Sequence, residues 1–187
     1  MKSVLSSTRP KWCEKICHEI GTDKNGKPIY EKSIEVRKTK PSIPTPFRVY
    51  IYETKSRDNT IYKRYKVDDI RSGKVIGEFV CDKVMFLTPL GLRGFEMREE
   101  ILKSICLTND DLNAYGGLKT LYGWHISQLK IYDKPKELKD FLLPCGGKIC
   151  WGCNLLNVKE ADCINRGKRY ATRPPQSWCY VQELEDA

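Results

Sequence analysis

The sequence predicts an α+β fold, in which a small mixed β-barrel is flanked by short helices and carries a Cys-rich loop insertion. Five or six strand-like segments are separated by short helical patterns, so strands that are not adjacent in sequence must meet in one sheet. The chain has 187 residues, enough for one domain with a substantial core and too few for two full domains. We therefore expect a single domain over residues 1–187, with the Cys-rich insertion at 144–173.

The first elements are predicted to be a strand, a helix and a turn. Residues 3–8 read as a short strand, and Pro10 suits the first turn of a helix. Apolar residues recur at helical spacing as far as Ile20, and Gly21 predicts the end of the helix. The run 23–28 combines Asp, Asn, Gly and Pro, which indicates an exposed loop or a hairpin tip.

The later elements follow from the same signals. Residues 40–46 contain three prolines and predict irregular chain, whereas 47–53 alternate as a strand does. Residues 73–87 predict one long strand that bends at Gly77, and Thr108–Asp111 resembles a capping box. The remaining predictions are helices over 94–106 and 134–141, a helix closed by Gly116 and Gly117, and strands over 124–132 and 177–183.

Composition favours a basic protein of the cytoplasm. Lys and Arg number 33 against 24 Asp and Glu, giving a net charge of +9 and a pI near 9.1. A polyanion such as nucleic acid is the partner that this charge favours. No apolar run approaches the roughly 18–20 residues of a membrane span, and the N-terminus lacks the apolar core of a signal peptide. We therefore expect no membrane partner, while the sequence leaves the oligomeric state open.

Residues 32–38 form the strand most suggestive of a site. Alternation puts Ile34 and Val36 on one face and Glu35 and Arg37 on the other. An Arg held by a neighbouring carboxylate presents its remaining donors rigidly to a phosphate or a base edge. A half-buried strand with one wet face would show the same pattern, so that alternative remains open.

Other cations near this strand have different predicted roles. Lys38 should project to the opposite face from Glu35 and Arg37, as a solvent-exposed charge. Arg9 lies at the entrance of the first helix and is a candidate for a further phosphate contact.

Several segments together resemble the ASCH domain, a PUA-like small barrel. They are residues 9–16, 32–38, 49–52 and 73–79, with 123–126, 131–135 and 173–181 resembling the variant carried by phages and their bacterial hosts. The family signature is Gly-x-Lys-x-x-(Glu or Thr)-x-Arg, which Lys32, Glu35 and Arg37 match and Tyr30 does not. Residues 21–28 look like an insertion just before it.

The resemblance implies that the chain binds RNA or a modified nucleotide in a cationic pocket between the first helix and the signature strand. The candidate binding residues are Arg9, Lys32, Glu35, Arg37, Trp124 and His125. Trp124 is either a core residue or a base-stacking platform. His125 is a candidate for a phosphate contact or for acid–base chemistry, without an identifiable partner in the sequence.

A hydrolase acting on RNA or a modified nucleoside is the alternative, with Lys32 and Glu35 as candidate catalytic residues. A bacterial relative of the family deacetylates acetylcytidine with the signature Lys and Thr, and Glu35 replaces that Thr here. A carboxylate at this position is a candidate general base, and Lys or Arg can stabilise developing negative charge. A third hypothesis is an interaction protein that recognises another protein.

Nine cysteines are an unusual number for a chain without a secretion signal. Cys145, Cys150, Cys153 and Cys163 offer four thiolates at a spacing compatible with a structural zinc site. An iron–sulfur cluster and four unliganded thiols are the alternatives. The remaining five cysteines lie in element-like segments and should be small core residues.

Overall fold

The computed structural model describes residues 3–55, 71–87, 95–117, 119–143 and 170–184. The strands in these ranges are β1 Ser3–Thr8, β2 Glu19–Thr22, β3 Pro28–Tyr30, β4 Ile34–Arg37, β5 Phe47–Glu53, β6 Val75–Cys81, β7 Val84–Leu87, β8 Leu121–His125, β9 Ser127–Lys136 and β10 Trp178–Val181. The helices are α1 Pro10–Cys17, α2 Phe95–Ile105 and α3 Asn109–Gly116, with a 3₁₀ turn at Leu138–Asp140.

Two sheets and a hairpin organise these strands. The five-stranded sheet has the order β10-β1-β5-β6-β9, in which β1 and β5 are parallel and the other pairs antiparallel. The three-stranded sheet has the order β4-β8-β7, and β2 pairs with β3 in the hairpin. Strands that are distant in sequence pair in both sheets, which confirms the predicted α+β class.

The main core lies where the two sheets face each other and α1 covers them. Val4, Phe47 and Phe79 from the larger sheet meet Ile16 of α1 and Trp124 of the smaller sheet, all at most 1% exposed. A second cluster on the outer face of the five-stranded sheet gathers around Tyr50 and Phe141. A third packs the outer face of the three-stranded sheet against α2. Both sheets are thus buried on two faces, which explains why a strand such as β4 has no wet side.

Local signals predicted several elements correctly. Strand β1, the start of α1 at Pro10 and strand β5 lie where the sequence put them. Thr108 and Asp111 form both halves of the capping box at the start of α3, and Gly117 closes that helix with φ +60°.

Two predicted long strands are wrong, because each divides between the two sheets. Residues 73–87 form β6 and β7, and the chain changes sheet at Asp82 and Lys83. Residues 124–132 divide between β8 and β9 at Ile126. The backbone N–H of His125 donates to the carbonyl of Lys83 at 3.0 Å, which ties the two crossing points together.

Two helices predicted from the sequence differ from those in the structure: one is shorter and the other is absent from its predicted range. Helix α1 ends at Cys17, and the chain continues into the β2–β3 hairpin, where Ile20 is 54% exposed. Residues 134–141 are not a helix: β9 continues to Lys136 and only a 3₁₀ turn follows. Strand β9 is an edge of its sheet, where Pro135 can be accommodated without the loss of a ladder hydrogen bond.

Two further observations bear on the sequence predictions. Within the described ranges, no helix is long and apolar enough to cross a membrane. The four candidate zinc ligands, Cys145, Cys150, Cys153 and Cys163, lie outside the described residues, so zinc binding stays a prediction.

Candidate functional site

A cavity of about 630 Å³ opens where the end of β1, the start of α1, strand β4 and the chain before β10 converge. Of the described residues that line it, five are basic and only Glu35 is acidic. The basic residues are Arg9, Lys11, Lys32, Arg37 and Lys38, and the aromatic ones are Trp12 and Tyr115. The cavity is therefore strongly cationic, with aromatic surface beside the charges.

Its inner wall carries a buried triad of charges, Lys32, Glu35 and Arg37, which are 2%, 6% and 5% exposed. A terminal nitrogen of Arg37 lies 2.9 Å from Glu35 Oε1, and Lys32 Nζ lies 3.4 Å from Glu35 Oε2. One carboxylate thus sits between two cations, and the triad has a net charge of +1. The sequence predicted the Glu35–Arg37 pair correctly.

Arg37 has few donors left for a ligand. Besides Glu35, its terminal nitrogens donate to the carbonyl of Ser7 at 2.8 Å and to Thr8 Oγ1 at 2.9 Å, with Ser177 O at 3.4 Å. Its Nε is buried and has no hydrogen-bond partner among the described residues. The guanidinium therefore holds β4 against the end of β1 and the chain before β10.

Lys32 also has a structural partner. Its ammonium donates to the carbonyl of Ile105 at 2.8 Å, at the C-terminus of α2, where helix carbonyls lack intrahelical partners and a cation is favoured. The same Nζ lies 5.0 Å from the centre of the Trp12 ring. Because an ammonium has three donors, Lys32 retains capacity for an anion in the cavity.

Exposed cations surround the opening, and we call Arg9, Lys11 and Lys38 the rim. Lys11 Nζ lies 4.3 Å from the ring centre of Trp12, and Lys38 Nζ lies 4.6 Å from that of Tyr115. Burial raises the pKa of Tyr115, so its phenol stays neutral at physiological pH. Arg9 lines the cavity, where the sequence predicted a phosphate contact for it. Lys38 is exposed as predicted, yet it lines the cavity.

Among the basic and aromatic residues that line the cavity, sequence reasoning missed three. Lys11 and Trp12 lie two and three residues after Arg9, so their position at the start of α1 was an available signal. Tyr115 comes from α3, more than seventy residues from the signature strand, and no local pattern connects the two.

Solved structures with a similar fold come from Zymomonas mobilis. A serine-to-alanine mutant of ZmASCH superposes with a TM-score of 0.53 at 12% identity, covering 97% of this chain and 89% of that one. A tyrosine-to-phenylalanine mutant of the same protein gives 0.53 at 14% identity, covering 98% and 92%. This chain has the ASCH-domain fold. No family model matches the sequence, and no curated protein matches it.

Within this ASCH-domain fold, Trp124 and His125 are not among the described residues that line the cavity. Trp124 is fully buried in the main core and packs edge-on against Phe47, with ring centres 5.4 Å apart. Its ring lies 5.9 Å from the guanidinium carbon of Arg37, so it supports the triad from behind. His125 instead pairs with the side chain of Asp82, and its Nδ1 lies 2.6 Å from Asp82 Oδ1.

The described part of the ASCH-domain fold contains no group of three or more His, Cys, Asp or Glu side chains placed to hold a metal ion. The described cysteines have free thiols. Cys13 and Cys81 are buried, as predicted for core residues, whereas Cys17, Cys106 and Cys179 are only partly buried. Burial, followed by the charge of Glu53, raises the pKa of Cys13 well above that of an ordinary thiol. These thiols are therefore poor nucleophiles.

Proposed function

We infer that this chain binds RNA or a modified nucleotide in the triad cavity. The observation that carries the proposal is the lining itself, in which five cations and two aromatic rings surround one carboxylate. A nucleotide combines an anionic phosphate with a flat π system, so it needs both kinds of surface. The net charge of +9 supplies a long-range attraction for the same class of ligand.

The size and depth of the cavity suit one nucleotide. Its volume of about 630 Å³ falls within the range of small-molecule sites. The triad is withdrawn from water, so its electrostatic attraction for an anion is screened less than that of a surface charge. The exposed rim cations can move toward a phosphate, which frees the faces of Trp12 and Tyr115 for a base.

The test is a salt titration of RNA binding with a rim variant and a matched control. Lys38→Gln should weaken binding of labelled single-stranded RNA and reduce the slope of log K against log salt by about 1. Lys27→Gln removes a charge from the exposed hairpin turn, which does not line the cavity, and should leave both quantities unchanged. Equal effects of the two substitutions would show that net charge alone, and not the cavity, controls binding.

Hydrolysis is a second candidate function, favoured by the position of Glu35. Its carboxylate lines the cavity 3.4 Å from Lys32 Nζ, so a general base and a stabilising cation are adjacent. Under this hypothesis Glu35→Gln should retain RNA binding and lose cleavage on denaturing gels of the same samples, under conditions where urea unfolding shows that the variant is folded. If cleavage survives the substitution, Glu35 is not the base.

A further inference from the structure

Residues 38–40 are each held by an aromatic side chain, and Lys38 and Thr39 among them line the cavity. The contacts are Lys38 Nζ to Tyr115 at 4.6 Å from the ring centre, Trp178 Nε1 donating to Thr39 Oγ1 at 2.8 Å, and Lys40 Nζ to Phe86 at 5.5 Å from the ring centre. A segment that otherwise lacks regular structure is thus fixed as it leaves β4. Two of its three residues present cations in defined positions.

Phe86 lies in the same row of the three-stranded sheet as Arg37, which lines the cavity. Arg37 pairs with Tyr122, and Tyr122 pairs with Phe86, so the three side chains form one row on the same face. Two strand spacings separate the Cα atoms of Arg37 and Phe86, which is about 10 Å. The rings of Phe86 and Tyr122 lie edge to face, with centres 5.7 Å apart.

Phe86 is 61% exposed, more than any other large apolar side chain among the described residues. Its ring therefore gains little from the core, and the exposed Lys40 is its charged neighbour. An aromatic ring beside a cation matches the base and phosphate of a nucleotide, and stacking on such a ring tolerates any base. The cation beside the ring and the shared row with Arg37 thus favour the same ligand at both places.

We propose that the ligand is single-stranded RNA of at least two nucleotides: one occupies the triad cavity and its neighbour stacks on Phe86. Lys40 then contacts a phosphate of the strand as it leaves the cavity. This inference rests on the proposed function and adds to it a second subsite without base preference. A single nucleobase cannot fill the cavity and also cover Phe86, so a mononucleotide uses only the first subsite.

The test compares a labelled single-stranded uridine hexamer with uridine monophosphate as its competitor. Phe86→Ala should weaken hexamer binding by about 5- to 150-fold, the range expected for the loss of one stacked base. Phe86→Trp should retain hexamer binding, and the concentration of monophosphate needed for displacement should not change. Ile20→Ala is the matched control, since Ile20 is also exposed, at 54%, but lies on the hairpin.

Each outcome separates this inference from the proposed function. If Phe86→Ala binds the hexamer as the wild type does, Phe86 is not a subsite, although the cavity still binds RNA. If Ile20→Ala weakens binding equally, the effect is not specific to this surface and the inference fails. If the wild type binds neither the hexamer nor the monophosphate, both proposals fail, and a protein becomes the better occupant of the Phe86 surface.

Discussion

Replacing Arg37 with methionine should destabilise the fold by about 3–5 kcal/mol, because it removes one partner of a buried ion pair. The side chain is 5% exposed and makes contacts at 2.8 Å to Ser7, 2.9 Å to Thr8 and 2.9 Å to Glu35. After the substitution, Lys32 at 3.4 Å is the cation that remains beside Glu35 among the described residues. A small domain has about 5–15 kcal/mol of stability in total, so the loss should be a large part of it.

Urea unfolding followed by tryptophan fluorescence measures this loss directly. With a slope of about 2 kcal/mol per M, a change of about 4 kcal/mol lowers the midpoint by about 2 M. Lys15→Met is the matched control, since Lys15 pairs with Glu31 near the surface, where the two side chains are 35% and 32% exposed. An exposed pair contributes about 0–1 kcal/mol. A midpoint for Arg37→Met close to that of Lys15→Met would refute the structural role of the triad.

The remaining predictions concern stability at other places in the fold. Thr108→Ala should cost about 1 kcal/mol in urea unfolding, because it removes the capping box of α3. Gly77→Ala should separate β6 from β9 and lower the melting temperature, since a Cβ there would lie 2.6 Å from the carbonyl of Lys130. Stability should fall as pH rises above about 9, because burial raises the pKa of Cys17 to about 11 and that of Cys81 to about 12 from 9.0.

The sign of the alkaline effect follows from linkage. Unfolded thiols ionise near 9.0, whereas the folded thiols remain protonated until pH passes their raised pKa values. Their contribution to stability is therefore complete below pH 9 and is lost between about 9 and 12. Urea unfolding at pH 8 and pH 10.5 under reducing conditions tests it, and Cys81→Ala should show a smaller fall. If stability falls equally in Cys81→Ala and in the wild type, groups other than Cys81 cause the effect.

Elements with a complete local signal could be predicted from the sequence. Thr108 and Asp111 satisfy each other across one turn, and Pro10 has the fixed φ of a first helical residue, so neither depends on distant contacts. The strand breaks at Asp82 and Ile126 carry no such signal. They exist because the chain changes from one sheet to the other at those positions, which is decided by pairing with remote strands.

The sequence predicted the charged triad of the candidate site, but it did not predict that these residues are buried. The period of two placed Glu35 and Arg37 on one face, but a wet face and a closed one give the same pattern. Burial of that face depends partly on Ser177, which lies 140 residues beyond Arg37 and contacts it at 3.4 Å. Trp124 was ambiguous for the same reason, since only the assembled sheets decide whether its ring meets a ligand or the core.

The basic residues that the sequence placed in or beside strand β4 have two different roles at the cavity. Most donors of Arg37 and Lys32 are hydrogen-bonded to protein groups, so these side chains fix the shape and charge of the inner wall. Rim cations such as Lys38 are exposed and supply attraction that salt can screen. Loss of RNA binding in an Arg37 variant would therefore report on folding as well as on contact. Binding at this cavity is more cleanly tested at the rim, where a charge can be removed without opening the core.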